Sequence, residues 1–144
     1  MKNLLLIVCV FAFLGCEGDE DTGPDCTTVL CAANEFLISY RDAQGNPLIG
    51  TEFVKDSFKL SRPGSTIYIK PRAFFADNQL PIFYRDVESG QDYALELSET
   101  VIDTLRFTFT TVVGGCCVDS TMDELLQNNT ARPPVAEDSF VLIR

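Results

Sequence analysis

The sequence contains no histidine and no tryptophan, and it has only 11 basic residues against 21 acidic ones. The absence of histidine excludes Ser-His-Asp and Cys-His catalysis and most metal-assisted hydrolysis, because each relies on an imidazole. Carboxylate pairs such as Asp86 with Glu88, or Asp123 with Glu124, remain available. In so acidic a chain, such pairs are more often solvated faces than a tuned catalytic dyad. We therefore predict that the protein is not an enzyme.

The shortage of basic residues also restricts the partners. Contacts with phosphates need a basic patch, and nothing in the sequence supplies one, so we expect no nucleic-acid partner. The chain has no C-x-x-C motif, and its adjacent pair Cys116 and Cys117 does not have the spacing of a zinc site. We accordingly expect no metal and no bound cofactor.

A hydrophobic run long enough to span a membrane is missing as well. The longest run, Leu4 to Leu14, has eleven apolar residues, whereas a transmembrane helix needs about 20. Lys2 before it and Gly15 after it give the layout of a secretory signal peptide. The alternative, a buried core helix, would have to be apolar on every face.

The cysteine that follows "FLG" identifies the kind of signal. Cys16 in this position resembles the lipobox cysteine of bacterial lipoproteins, although Phe13 stands where that family usually has an aliphatic residue. The resemblance implies that residues 1–15 are removed and that Cys16 carries a covalent diacylglycerol. A lipid anchor of this kind holds a protein on a membrane.

Residues 16–25 form an acidic segment with no large apolar side chain, which predicts an extended, solvated tether. The segment resembles the acidic export signal of surface lipoproteins in the Bacteroidetes, which implies a place on the outer membrane, facing outward. Two alternatives are a spacer without a sorting role and a weak calcium site. "EGDEDTGPD" lacks the spacing of a known calcium loop, so the spacer is the stronger alternative. Without Lys2 the mature chain has a formal charge of −11.

Four cysteines remain once Cys9 leaves with the signal and Cys16 is lipidated: Cys26, Cys31, Cys116 and Cys117. An even number in an exported chain predicts disulfides, and three pairings are possible. Pairing Cys116 with Cys117 would form a strained ring between neighbours. We therefore favour the pairings in which each of the first two cysteines bonds one of the last two.

From residue 33 onward the apolar residues alternate with polar ones, which is typical of strands with one buried face. In "EFLISYR", for example, Phe36, Ile38 and Tyr40 point one way. The alternation recurs about seven times. Between the strands lie turn-forming clusters such as "DAQGNP" and "ESGQD".

The pattern predicts an all-β fold, a single antiparallel β-sandwich of about seven strands over residues 26–144. The fold resembles the immunoglobulin or transthyretin kind, without the buried tryptophan of antibody domains. "STMDELLQNN" departs from the alternation. Ser120 or Thr121 can cap a helix that has Asp123 or Glu124 three residues on. We therefore expect one short helix near residues 120–128.

Two further sets of residues are candidates for function. Phe74 and Phe75 follow "KPR" where a strand should end, and they are possible partner-binding residues if exposed. The alternative is that one packs in the core and the other covers an edge. Thr104 and Ser120 lie in "DTL" and "DST" triplets, which resemble the O-glycosylation motif of exported Bacteroidetes proteins.

Two functions fit these expectations. The first is a lipid-anchored accessory subunit that docks on an outer-membrane protein and has no chemistry of its own. The second is an autonomous module that binds a glycan, a peptide or a host protein. Because no ligand-specific polar constellation is visible, the sequence favours the accessory subunit.

Overall fold

The computed structural model describes residues 25–74, 77–136 and 138–144, without the side chains of Phe74 and Asp77. The predicted signal peptide, Cys16 and the tether before Asp25 lie outside the described residues. Within the described part the chain forms eleven strands and a single-turn 3-10 helix at Tyr84–Asp86. The strands are β1 (Glu35–Arg41), β2 (Phe58–Arg62), β3 (Ser65–Ile69), β4 (Arg72–Phe74), β5 (Asp77–Phe83), β6 (Asp92–Glu96), β7 (Ile102–Gly114), β8 (Cys117–Gln127), β9 (Thr130–Ala131), β10 (Pro134–Ala136) and β11 (Ser139–Ile143).

The strands form two sheets. The first has the order β10-β11-β1-β5-β4, and the second has the order β3-β2-β6-β7-β8-β9. Neighbouring strands are antiparallel except for β1 and β11, which run parallel. The prediction of a purely antiparallel sandwich is therefore wrong at this one pair, where the last strand returns beside the first.

The apolar core lies between the sheets. The alternation seen in the sequence turns one face of each strand inward, so Phe36 and Ile38 of β1 and Phe107 of β7 are fully buried. The rings of Phe36 and Phe107, from opposite sheets, have centroids 5.0 Å apart. The structure confirms the predicted all-β, disulfide-linked fold with two layers.

The number of strands was predicted too low, at about seven instead of eleven. The seven alternating segments correspond to β1, β2, β3, β5, β6, β7 and β11. Three of the others, β4, β9 and β10, have only two or three residues, too few to show a period. The fourth is β8.

The short helix predicted near residues 120–128 is wrong, since this segment belongs to β8 and pairs with β7. The register shifts there, so that Asp123 is an extra residue between Met122 and Glu124, as in a β-bulge. Apolar side chains that pack inward therefore lie three residues apart, at Met122 and Leu125. That spacing resembles a helical period and hides the strand.

The turn after β8 explains the rest of the error. Asn128 and Asn129 have φ values of 50° and 65°, and two successive residues with positive φ form the tight turn that suits a β-hairpin. The pair joins β8 to β9. "QNNT" is thus a hairpin signal rather than the end of a helix.

Candidate functional site

Two disulfides close one end of the sandwich. Cys26 is bonded to Cys116 and Cys31 to Cys117, over sequence separations of 90 and 86 residues. Each of the first two cysteines thus bonds one of the last two, which is the favoured arrangement. We call this end, formed by residues 26–34 and residues 109–120, the ribbon end.

Hydrogen bonds of Asn34 hold the same two segments together. Its Nδ2 donates to the carbonyl oxygen of Val118 at 2.9 Å and to Oγ of Ser120 at 3.2 Å. Its Oδ1 accepts the backbone N–H of Ser120 at 3.2 Å. Ser120 Oγ also lies 2.9 Å from Oγ1 of Thr111. The polar groups beside the disulfides therefore satisfy one another.

A cleft of about 640 Å³ opens at the ribbon end. Its aromatic wall consists of Phe83, Tyr84 and Phe109, and the last two rings meet edge to face with centroids 5.0 Å apart. Of the described residues that line the cleft, Arg85 alone is charged, and its guanidinium lies 5.0 Å over the Phe83 ring. The cleft is thus an apolar surface with a cationic rim.

The ring of Tyr84 lines this cleft, whereas its hydroxyl group bonds to a residue outside the cleft lining. The O–H donates to Oδ1 of Asp138 at 2.6 Å. Burial, and then the hydrogen bond to Asp138, raise the pKa of Tyr84 above its usual range. The phenol therefore stays neutral at physiological pH. Tyr84 contributes an aromatic surface to the cleft and no charge.

A second groove, of about 460 Å³, lies between β3 and the β4–β5 pair. Tyr68 lines it from the edge strand β3 and is 70% exposed. Phe83 contributes to this groove as well as to the cleft, so the ring of Phe83 and the guanidinium of Arg85 stand between the two.

The opposite end of the sandwich is closed by a buried carboxylate. Asp103, near the start of β7, is fully buried and joins both sheets. It accepts hydrogen bonds from Tyr40 Oη at 3.0 Å, Gln127 Nε2 at 2.7 Å, Asn128 Nδ2 at 2.9 Å and Arg144 Nη2 at 2.6 Å. We call these five residues the Asp103 cluster, and the end that they close the Asp103 end.

The hydrogen bonds decide the charge of Asp103. Burial alone would raise its pKa, but the donors, with Arg144 foremost, outweigh burial and lower the pKa to about 2. Tyr40 responds in the opposite direction, because burial and the carboxylate raise its pKa well above 10.0. The cluster is thus a structural ion pair with a neutral tyrosine donor.

The candidate partner residues Phe74 and Phe75 are not brought to either groove by anything described. Phe74 pairs through its backbone with Asp77, its side chain is not described, and Phe75 lies outside the described residues. Their role in binding stays a prediction.

The two candidate glycosylation sites differ in access. Thr104 is exposed, next to the buried Asp103. Ser120 is only 9% exposed, and its hydroxyl is hydrogen-bonded to Asn34 and Thr111. Of the two, Thr104 is the one that a modifying enzyme would reach in the folded domain.

The carboxylate pairs considered for catalysis lie apart from the cleft lining. Asp86 is 3.8 Å from the guanidinium of Arg85, Glu88 pairs with Arg62, and Asp123 accepts a hydrogen bond from Thr110. Among the described residues no group of three or more potential ligands is placed to hold a metal ion. The same part of the chain contains no helix long and apolar enough to cross a membrane.

No family model, no curated protein and no solved structure matches the chain. Kinship with immunoglobulin-like or transthyretin-like sandwiches therefore stays a prediction.

Sequence reasoning missed the residues that shape both ends. Asp103 lies two residues before Leu105, in the inward phase of β7, so extending the alternation backward would have found a buried acid. Phe109 continues the inward alternation of Leu105 and Phe107, so the sequence alone assigns it to the core. Asn34 and Arg85 gave no signal, because their partners come from strands whose order the sequence does not reveal.

Proposed function

We propose that this protein is a lipid-anchored accessory subunit on the outer-membrane surface, without chemistry of its own. The observation that carries the proposal is the place where the domain meets its tether. Cys26, ten residues after the candidate lipidation site Cys16, is bonded to Cys116 at the tip of the β7–β8 ribbon. A lipid on Cys16 would hold the ribbon end, and the cleft beside it, next to the membrane.

The cleft suits a protein partner that rises from the membrane. Aromatic walls with few polar groups are typical of the pockets that receive anchor side chains at interfaces. Arg85 adds one cation, whose side chain is 80% exposed although it lies 3.8 Å from Asp86, in a domain of strongly negative charge. The partner segment that fits is therefore apolar with an acidic side chain.

Co-purification tests the proposal. A tag joined by a flexible linker after Arg144 would lie at the Asp103 end and leave the ribbon end free. Outer membranes are extracted in mild detergent, and mass spectrometry identifies what is recovered with the protein. We expect one outer-membrane protein in stoichiometric amount, and recovery of the protein alone would contradict the accessory role.

A charge reversal locates the docking surface. Arg85→Glu should abolish the co-purification, because it places an acid at the rim of the cleft. Lys55→Glu makes the same change of charge outside the cleft lining and serves as the matched control. Equal recovery of the partner with both variants would exclude the cleft as the docking site.

The second candidate function, an autonomous binding module, is favoured by the groove beside β3. An exposed tyrosine such as Tyr68, next to Phe83 and the cation of Arg72, is the kind of surface on which a sugar ring or an extended peptide packs. Binding to a glycan array that Tyr68→Ala abolishes, together with the absence of any co-purifying protein, would establish this function instead.

A further inference from the structure

Two uncharged stretches of the chain meet at the ribbon end, although 22% of the residues of the chain are charged. The first is residues 26–34, between Asp25 and Glu35, and the second is residues 107–118, between Arg106 and Asp119. The two disulfides join these stretches. Asp119 is therefore the one charged residue in the two segments that form the ribbon end.

The same stretches expose large apolar side chains. Five of the ten large hydrophobic residues that are exposed in the described part of the chain belong to them, namely Val29, Leu30, Val112, Val113 and Val118. Leu30 is 98% exposed and Val113 75%. Apolar surface gathered in one place on a soluble domain marks a contact with another phase or molecule.

The shape of this surface favours a bilayer over a protein. Val113 lies opposite Val118 in the ribbon, whereas Val112 lies opposite Asp119, and successive residues of a strand point to opposite faces. The apolar side chains therefore surround a projecting tip instead of lining one face. A projecting apolar tip with no charged residue between Arg106 and Asp119 suits the soft boundary between headgroups and acyl chains.

The position of the tip along the chain supplies the second argument. The described chain begins at Asp25, and the next residue, Cys26, is bonded to Cys116 at the ribbon turn. This step rests on the proposed function, in which Cys16 carries the lipid. The nine residues between Cys16 and Cys26 give ten Cα–Cα steps, which span at most about 35 Å when fully extended. The anchor thus keeps the tip within reach of the bilayer that holds it.

We infer that the ribbon end rests on this bilayer and that Leu30, Val112, Val113 and Val118 enter its interfacial region. The domain then has a fixed polarity, with the Asp103 end pointing away from the membrane. The cleft beside the ribbon lies at bilayer level, where a segment emerging from an integral membrane partner would meet it.

A single tryptophan tests this inference, because the chain contains none. Val113→Trp places the reporter in the tip, and Ile102→Trp is the matched control at the other end of the same strand, at a position that is 53% exposed. The two positions are about 36 Å apart along the strand. Leu30→Trp is a second reporter at the ribbon end, in residues 26–34, at a position that is 98% exposed and has almost no contacts to lose. We call Val113→Trp and Leu30→Trp the tip reporters.

Each full-length lipoprotein is purified from membranes and reconstituted in phosphatidylcholine vesicles with and without brominated acyl chains. We expect brominated lipid to quench the Val113→Trp and Leu30→Trp emission by about two-fold, since the tip lies in the interface, and to leave Ile102→Trp unchanged. Flotation with the vesicles and the intact mass report the lipid anchor separately.

The two readouts separate the possible failures. A protein that neither floats nor carries the lipid mass overturns the proposed anchor and the inference with it. A protein that floats while both tip reporters stay unquenched overturns the inference alone. Equal quenching of the tip reporters and Ile102→Trp would likewise contradict the orientation.

Discussion

The ribbon end and the Asp103 end of the sandwich are held by different interactions, although β7 and β8 run through both. At the ribbon end two covalent bonds tie the uncharged tip of the β7–β8 hairpin, residues 107–118, to the start of the domain. At the other end Asp103 collects four polar partners from β1, from β8 and the turn after it, and from the last residue of the chain.

The two ends are stabilised by different interactions because their side chains differ in burial and in charge. The ribbon tip projects past the core, so its side chains have little to bury against, and disulfides supply the order that apolar packing does not. The Asp103 end places a carboxylate between the sheets, and a buried charge is tolerated only when it is fully paired. Removing the interactions at each end in turn measures this contrast.

The largest effect is expected at the ribbon end, from the loss of both disulfides together. In the chain-entropy model the first bond closes a loop of about 90 residues, and the second then closes a ring of only about eight. Replacing Cys31 and Cys117 by alanine should therefore cost about 2 kcal/mol, and replacing all four cysteines about 7 kcal/mol. Denaturant unfolding measures both. If removal of Cys31–Cys117 and the further removal of Cys26–Cys116 lowered the free energy of unfolding by equal amounts, this account would be contradicted.

The next effect belongs to the Asp103 end. Asp103→Asn removes the charge that Arg144 pairs with and replaces one of the two acceptor oxygens by an NH₂ group, which the surrounding donors cannot bond, so we expect a loss of about 3 kcal/mol in the free energy of unfolding. Asp119→Asn, at an exposed position of the ribbon, is the matched control and should change stability by less than about 0.5 kcal/mol. Similar losses in both variants would show that the cluster is not a structural ion pair.

Acid should weaken the Asp103 end selectively. Because the pKa of Asp103 is lowered to about 2 in the fold, its ionisation stabilises the native state fully above its unfolded pKa, near 4, and the contribution is lost as the pH falls toward 2. The stability difference between the parent protein and Asp103→Asn should therefore shrink by about 2 kcal/mol from pH 5 to pH 2. A difference that is constant over this range would refute the lowered pKa.

The smallest effect on stability is expected at the ribbon tip. Val113→Ser changes a side chain that is 75% exposed and should shift the unfolding free energy by less than about 0.5 kcal/mol. Leu105→Ala, in the buried part of the same strand, should cost about 3 kcal/mol. If both cost the same, the tip would be part of the core and not a free contact surface.

Much of this fold follows from period-two alternation, and its errors have physical causes. Phe36, Ile38 and Tyr40 predict β1 correctly because one face of that strand is wholly apolar. The strand β8 was mistaken for a helix because the extra residue Asp123 moves its inward positions out of phase. Edge strands of two or three residues leave no periodic trace.

The Asp103 cluster could not be predicted from the sequence, for another reason. The partners of Asp103 are distant in the chain, and only the strand order brings Gln127 and Arg144 to the same point. The general arrangement of the disulfides was accessible, since elimination of a bond between neighbours left two pairings, but the sequence did not decide between these two. The exposure of the ribbon valines could not be predicted, because apolar residues in a strand are ordinarily expected to be buried.

Hydrogen exchange along the whole chain tests most directly the claim that the two ends face different surroundings. The full-length protein in vesicles is compared with a chain expressed from Glu17 onward, which lacks the proposed lipidation site Cys16. We predict that vesicles slow exchange at the ribbon end, within residues 26–34 and 110–118, and leave residues 102–104 and 127–132 unchanged. Slower exchange at the Asp103 end, or the same exchange everywhere in both forms, would contradict the account.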